Sequence, residues 1–79
     1  MNLTIHYFAI LRERAGRSAE TVLSDAATAR DLWREADLSH SFHLDVSSFA
    51  VAVNDTFVPW DHPLREGDQV AFLPPVSGG

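Results

Sequence analysis

Gln69-Val70-Ala71-Phe72-Leu73-Pro74-Pro75-Val76-Ser77-Gly78-Gly79 closes the chain. Residues 69 to 73 alternate as a strand does, with Val70 and Phe72 on one face and Ala71 and Leu73 on the other. Pro74 and Pro75 have fixed φ and no backbone donor, so they stop the strand and stiffen its exit. Two residues without Cβ then make a thin filament able to enter a site where any side chain would clash. Extended backbone would carry Val76 to Gly79 about 13 Å from the body. This ending makes the Gly79 carboxylate the candidate reactive group; the competing reading is a frayed, glycine-tolerant terminus.

Upstream, Leu3, Ile5 and Tyr7 alternate with Thr4, His6 and Phe8, giving a first strand over residues 2 to 8. Residues 9 to 16 read as a short helical turn stopped by Gly16, and residues 19 to 24 as the returning strand of a hairpin. Thr28, with Asp31 three residues on, is a variant capping box. Behind it Ala29, Leu32, Trp33 and Ala36 form one apolar stripe, while Arg30, Asp31, Arg34 and Glu35 face away. Trp33 is in phase with the stripe, which assigns it to the core rather than to a ligand platform. In residues 37 to 47 Phe42, Leu44 and Val46 alternate with polar residues, and a short strand and a packed loop both fit.

Phe49 to Val53 resumes the strand pattern, Asn54-Asp55-Thr56 supplies turn chemistry, and Phe57-Val58 returns. Pro63 excludes a central strand and makes Asp61-His62-Pro63-Leu64 a turn carrying a buried Leu64. Arg65-Glu66-Gly67-Asp68 turns again into the last strand. The order strand, strand, helix, strand, short strand, strand predicts an α+β fold, a mixed sheet with one main helix on one face. With the last strand beside the first, the arrangement is the β-grasp, or ubiquitin-like, fold. It would comprise a domain of residues 1–75 and a flexible tail of residues 76–79.

At 79 residues the chain fits one domain with a thin core. It has no cysteine, hence no disulfide, thiolate metal site, cysteine nucleophile or persulfide of its own. A net charge of −5 disfavours nucleic acid and makes basic partners more plausible. The N-terminal residues begin a strand without a signal-peptide pattern, and no apolar run is long enough to span a bilayer, so the expectation is a cytoplasmic protein with no membrane contact. His40 and His43 lack a third ligand at motif spacing, and no metal is expected. All six basic residues are Arg (12, 14, 17, 30, 34 and 65); with no Lys, an activated Gly79 would meet no ε-amine on its own chain.

Strand phase also sorts the surface. If Leu3, Ile5 and Tyr7 lie under the helix, Phe8 points the other way, as do Ala71 and Leu73; Phe57, just past a turn, is a third exposed candidate. Together they would form an apolar patch at the base of the tail, the alternative being hydrophobes scattered singly.

These residues resemble the small subunit of molybdopterin synthase, a ubiquitin-like sulfur carrier of molybdenum cofactor biosynthesis. The resemblance runs through Phe8-Ala9, Arg12-Glu13 and Gly16, then Ala52-Val53-Asn54, Val58 and Asp61-His62-Pro63-Leu64. It ends on Gly67-Asp68, Val70-Ala71-Phe72 and Pro74-Pro75-Val76-Ser77-Gly78-Gly79. The resemblance implies that an activating enzyme related to ubiquitin E1 uses ATP to adenylate Gly79, and that a sulfur donor protein then leaves a thiocarboxylate there. The tail, with Gly78 and Gly79 at its tip, would enter the large synthase subunit and give sulfur to cyclic pyranopterin monophosphate. It further implies contacts from Phe8, Arg12, Phe57, Leu73, Pro74, Pro75 and Val76, assembly as two small and two large subunits, and no bound cofactor. On that reading the chain is a non-catalytic sulfur-donating subunit. The alternatives are a carrier for thiamine thiazole or transfer RNA thiolation, a protein modifier, and a binding module with a free tail.

Overall fold

The computed structural model describes residues 1–74. Its elements are β1 (Asn2–Tyr7), α1 (Ile10–Ala15), β2 (Ala19–Leu23), α2 (Ala29–His40), a 3-10 turn (Val46–Ser48), β3 (Ala50–Val53), β4 (Thr56–Val58) and β5 (Gln69–Leu73). The strands form one sheet in the order β2-β1-β5-β3-β4. β5 is central, parallel to β1 and antiparallel to β3, as the β-grasp expectation requires.

Alternation fixes the two faces of this sheet. Leu3, Ile5, Tyr7, Val51, Val53, Val70 and Phe72 lie buried under the helix. From α2, Ala29, Leu32, Trp33 and Ala36 complete the core, the stripe that the 3.6-residue period predicts. Full burial of a side chain such as Leu32 contributes about 1.5–3 kcal/mol.

Local chemistry sets the ends of α2. The Thr28 hydroxyl accepts from the Asp31 amide at 3.3 Å. The first-turn amides of Ala29 and Arg30 have no partner within the helix; they donate to the carbonyls of His62 and Trp60. The Asp61-His62-Pro63-Leu64 turn therefore does more than bury Leu64: it holds the start of the helix.

At its other end α2 runs to His40, further than the helical stripe announced. Ser41, at φ 53°, closes it in the left-handed conformation, and its amide donates to the Asp37 carbonyl. The chain then buries Phe42 completely and reaches the 3-10 turn, whose Asp45 side chain accepts from the Ser47 amide. The strand alternative for Phe42, Leu44 and Val46 is thus replaced by a helix end and a packed loop. The β3–β4 turn has positive φ at both Asn54 and Asp55, the geometry a two-residue hairpin needs.

Candidate functional site

The last strand is anchored on the covered face. Phe72 lies edge-on to Trp33, with ring centroids 5.2 Å apart, and stacks on Trp60 at 5.8 Å. Trp33 also packs against Phe42 and Phe49. Such aromatic contacts add about 0.5–1.5 kcal/mol each beyond the area buried. The residue just before Leu73 is therefore fixed by four neighbouring rings, directly or through Trp33. Leu73 and Pro74 follow, both half-buried. The expected site residues Pro75, Val76, Gly78 and Gly79, and with them the 76–79 tail, lie outside the described residues.

The open face is built from small side chains. Register places Phe57 opposite Ala52, Ala52 opposite Ala71, and Ala71 beside His6, so one row crosses four strands. Ala50 and Leu73 form the next row towards the tail. Phe57 is 70% exposed and Phe8 42%, both on this side of the sheet. Beside Phe8 is a shallow depression of about 430 Å³, lined by His6, Phe8, Ala52, Asn54, Asp55, Gln69 and Ala71. Its floor is shallow because the alanines leave the backbone little covered.

Phe8 owes its position to Ala9, which starts α1 at φ 52°, ψ −126°. Such a conformation in a residue with a Cβ costs about 1–3 kcal/mol and is kept only where surrounding structure enforces it. It turns the chain sharply off β1, leaves Phe8 on the surface and sends Leu11 into the core. Arg12, one turn into α1, is exposed. The structure thus gathers Phe8, Phe57 and Leu73 on one face, with Arg12 on the short helix that leads away from Phe8. Ala52, Ala71 and His6 complete the surface. Phase had already placed Ala71 outward; Ala52 and His6 were not among the expected residues, because they join this face only once the strands are in register.

A polar cluster backs the same end of the sheet. The Tyr7 hydroxyl donates to Glu20 Oε1 at 2.5 Å, His40 Nε2 meets the same oxygen at 2.6 Å, and Arg17 lies 3.6 Å from Glu20 Oε2. Burial, reinforced by the hydrogen bond and charge of Glu20, raises the Tyr7 hydroxyl far above its usual value, so it stays a donor. For Glu20, partial burial pushes the carboxyl upward. Hydrogen bonds from Tyr7 and His40, with the charges of His40 and Arg17, outweigh it and hold the group below the ordinary carboxylate value. His40 is accordingly a strut, joining the end of α2 to β2. Among the described residues no group of three or more His, Cys, Asp or Glu side chains could hold a metal, and no helix is long and apolar enough to cross a membrane.

Residues 5–79 match the ThiS family. The molybdopterin synthase sulfur carrier subunit of Escherichia coli is 38% identical over 80 residues, covering 98% of this chain and 99% of the relative. Among solved structures, SAMP1 of Haloferax volcanii superposes with a TM-score of 0.82 at 27% identity, over the whole of both chains. Subunit 1 of the Helicobacter pylori molybdopterin-converting factor, in its complex with subunit 2, superposes at 0.70 over the full length of both; at 22% identity this likeness concerns the fold. With a family match reaching the last residue and a full-length relative at this identity, the chain belongs to the ThiS family and, within it, to the molybdopterin synthase sulfur carrier subunits.

Proposed function

We propose that the chain carries sulfur on its C-terminal carbonyl for molybdopterin synthesis, with Gly79 as the group modified and Gly78 giving it access. The observation that carries this reading is a family match extending through Gly79. The Gly79 carboxylate attacks the α-phosphorus of ATP on an activating enzyme, releasing pyrophosphate and forming an acyl adenylate. A donor's persulfide sulfur attacks that carbonyl and AMP leaves. A thiol then cleaves the resulting S–S bond, supplying two electrons, so that Gly79 retains a thiocarboxylate. In the large subunit this sulfur bonds to a carbon of cyclic pyranopterin monophosphate, and water releases the Gly79 carboxylate. Nucleotide, acids and bases belong to the partners, and no cofactor resides on this chain.

The open face supports a large-subunit partner, because Phe8, Phe57 and Leu73 offer apolar area beside the exit of the tail. Arg12, Pro74, Pro75 and Val76 extend that contact, and the assembly would hold two small and two large subunits in the cytoplasm. A modifier reading is favoured by the likeness to SAMP1. The deciding experiment incubates the chain with the activating enzyme, ATP and a sulfur donor, then adds large subunit and pterin precursor. The expected results are the intact-mass gain of one oxygen-for-sulfur exchange and then molybdopterin. Unchanged mass overturns the carrier reading, and lysine-linked conjugates without molybdopterin favour the modifier. Deleting Gly79 should abolish transfer while leaving the melting temperature in place.

A further inference from the structure

β2 is an edge strand, and its outward groups can be assigned from its register with β1. Met1 and Ser24 exchange both backbone bonds, and the Tyr7 amide donates to the Ser18 carbonyl. In an antiparallel pair bonded positions alternate, so Leu3–Val22 and Ile5–Glu20 are bonded pairs. The amides and carbonyls of Ala19, Thr21 and Leu23 therefore point away from the sheet. Among the described residues no other strand pairs with them. Ala19–Leu23 holds neither proline nor lysine, two devices that blunt such an edge, and Glu20 is its single charged residue.

Beside this edge, between β2 and α2, lies a cleft of about 240 Å³. Ile5, Val22, Leu32 and Ala36 give it an apolar floor, and Glu20 and Glu35 stand at its rim. Leu23, 81% exposed, also borders the cleft. Glu20 is already engaged by Tyr7, His40 and Arg17; Glu35 accepts from the Ser24 hydroxyl at 2.8 Å, and neither it nor Asp25 meets a basic side chain among the described residues. An edge strand with free donors beside an apolar slot is the geometry by which proteins accept an added strand: backbone bonds give affinity, and alternate side chains fill the slot.

We propose that the β2 edge and the adjoining β2–α2 cleft dock an extended segment of a protein partner, apolar at alternate positions and flanked by basic residues. Charge selects this occupant over a second copy of the chain. Antiparallel pairing of two β2 edges about Thr21 would set Asp25 of one copy across from Arg17 of the other but leave Glu35 of both without a basic partner, and each body carries a net charge of −5. A basic-flanked segment answers the same carboxylates. β1 separates β2 from β5, and the cleft opens on the helix side, so this contact leaves both the open face and the tail exit free. The site is therefore additional to the sulfur-carrier surface.

The test uses the full chain and an acetylated, amidated probe peptide, Arg-Thr-Val-Thr-Ile-Thr-Arg, followed by residue-resolved amide hydrogen exchange. Saturating peptide should slow exchange at Thr21 and Leu23 by about tenfold or more, because their free amides become bonded. The same peptide N-methylated at its threonines should have no effect. Thr21→Pro removes an outward donor that the fold does not use, a substitution edge strands tolerate; it should abolish protection while leaving sulfur transfer unchanged. Glu35→Arg supplies a second arm that is independent of backbone tolerance, and should weaken the peptide several-fold. Unprotected Thr21 and Leu23 amides, equal protection by the methylated peptide, or unweakened binding to Glu35→Arg would each overturn the proposal. Protection arising from concentrated chain alone, with a dimer in sedimentation, would overturn it in favour of a second copy.

Discussion

The covered and open faces of the sheet come from the same strands and differ in what they do with side-chain volume. β5 sends Val70 and Phe72 to one face, where both are fully buried, and Ala71 and Leu73 to the other, where both are half-buried. On the covered face every ring has a neighbour, and the burial of large side chains stabilises the domain. On the open face large rings stand at the margins, with alanines between them. The lesson is that the most exposed aromatics contribute least to the fold and are the ones available to a partner. In a domain of this size stability is only about 5–15 kcal/mol, so the two roles must fall on different residues.

The largest effect expected is on the covered face. Phe72→Ala should lower unfolding free energy by about 3–5 kcal/mol in a denaturant titration; a loss below about 1 kcal/mol would mean that the aromatic cluster does not anchor the last strand. Phe57→Asp reverses the pattern. Affinity for the large subunit should fall by about 2 kcal/mol or more in calorimetry, while stability shifts by less than about 0.5 kcal/mol. If unfolding accompanies it, the open face is structural and the contrast fails.

Glu20→Gln tests whether the polar cluster belongs with the covered face, and should cost about 1–2 kcal/mol at neutral pH. Because the folded carboxyl lies below its ordinary value near 4.5, its stabilising contribution is fully present above that pH. It is lost as pH falls through the depressed folded value. The Gln variant should therefore show a shallower loss of stability below pH 4.5 than the parent, measured by denaturant midpoints along a pH series. The smallest effect, about 1 kcal/mol, is expected for Thr28→Ala. It removes one cap from a helix whose first amides are also held by the carbonyls of Trp60 and His62, so a much larger loss would assign the helix start to Thr28 alone.

Much of this was legible along the chain. Period-two alternation located every strand within a residue or so, and the Ala29–Ala36 stripe identified the covering helix, because both patterns are local. The end of α2 was not legible. Asp37 to His40 complete the helix through the contact of His40 with Glu20 on β2, and a serine, not a glycine, takes the left-handed position that stops it. Ala9 hides its turn for the same reason: an alanine at positive φ leaves no mark in the sequence. In the candidate site Phe8, Ala71 and Leu73 could be picked out by phase, and Phe57 by its place just past a turn. The floor that joins Ala52 to Ala71 could not, since it exists only through pairing between strands distant in sequence.

The place of β5 has a mechanical consequence. Its end points towards the tail while its flanks are bonded to β1 on one side and β3 on the other. A pull along the tail loads both ladders in shear, so many hydrogen bonds share the force and none can be peeled singly. An edge strand in that position would unzip from one end. If, as proposed, the tip is gripped in turn by an activating enzyme, a sulfur donor and a synthase, its handle is fastened to the strand that yields last under tension, and each release can proceed without drawing the domain open.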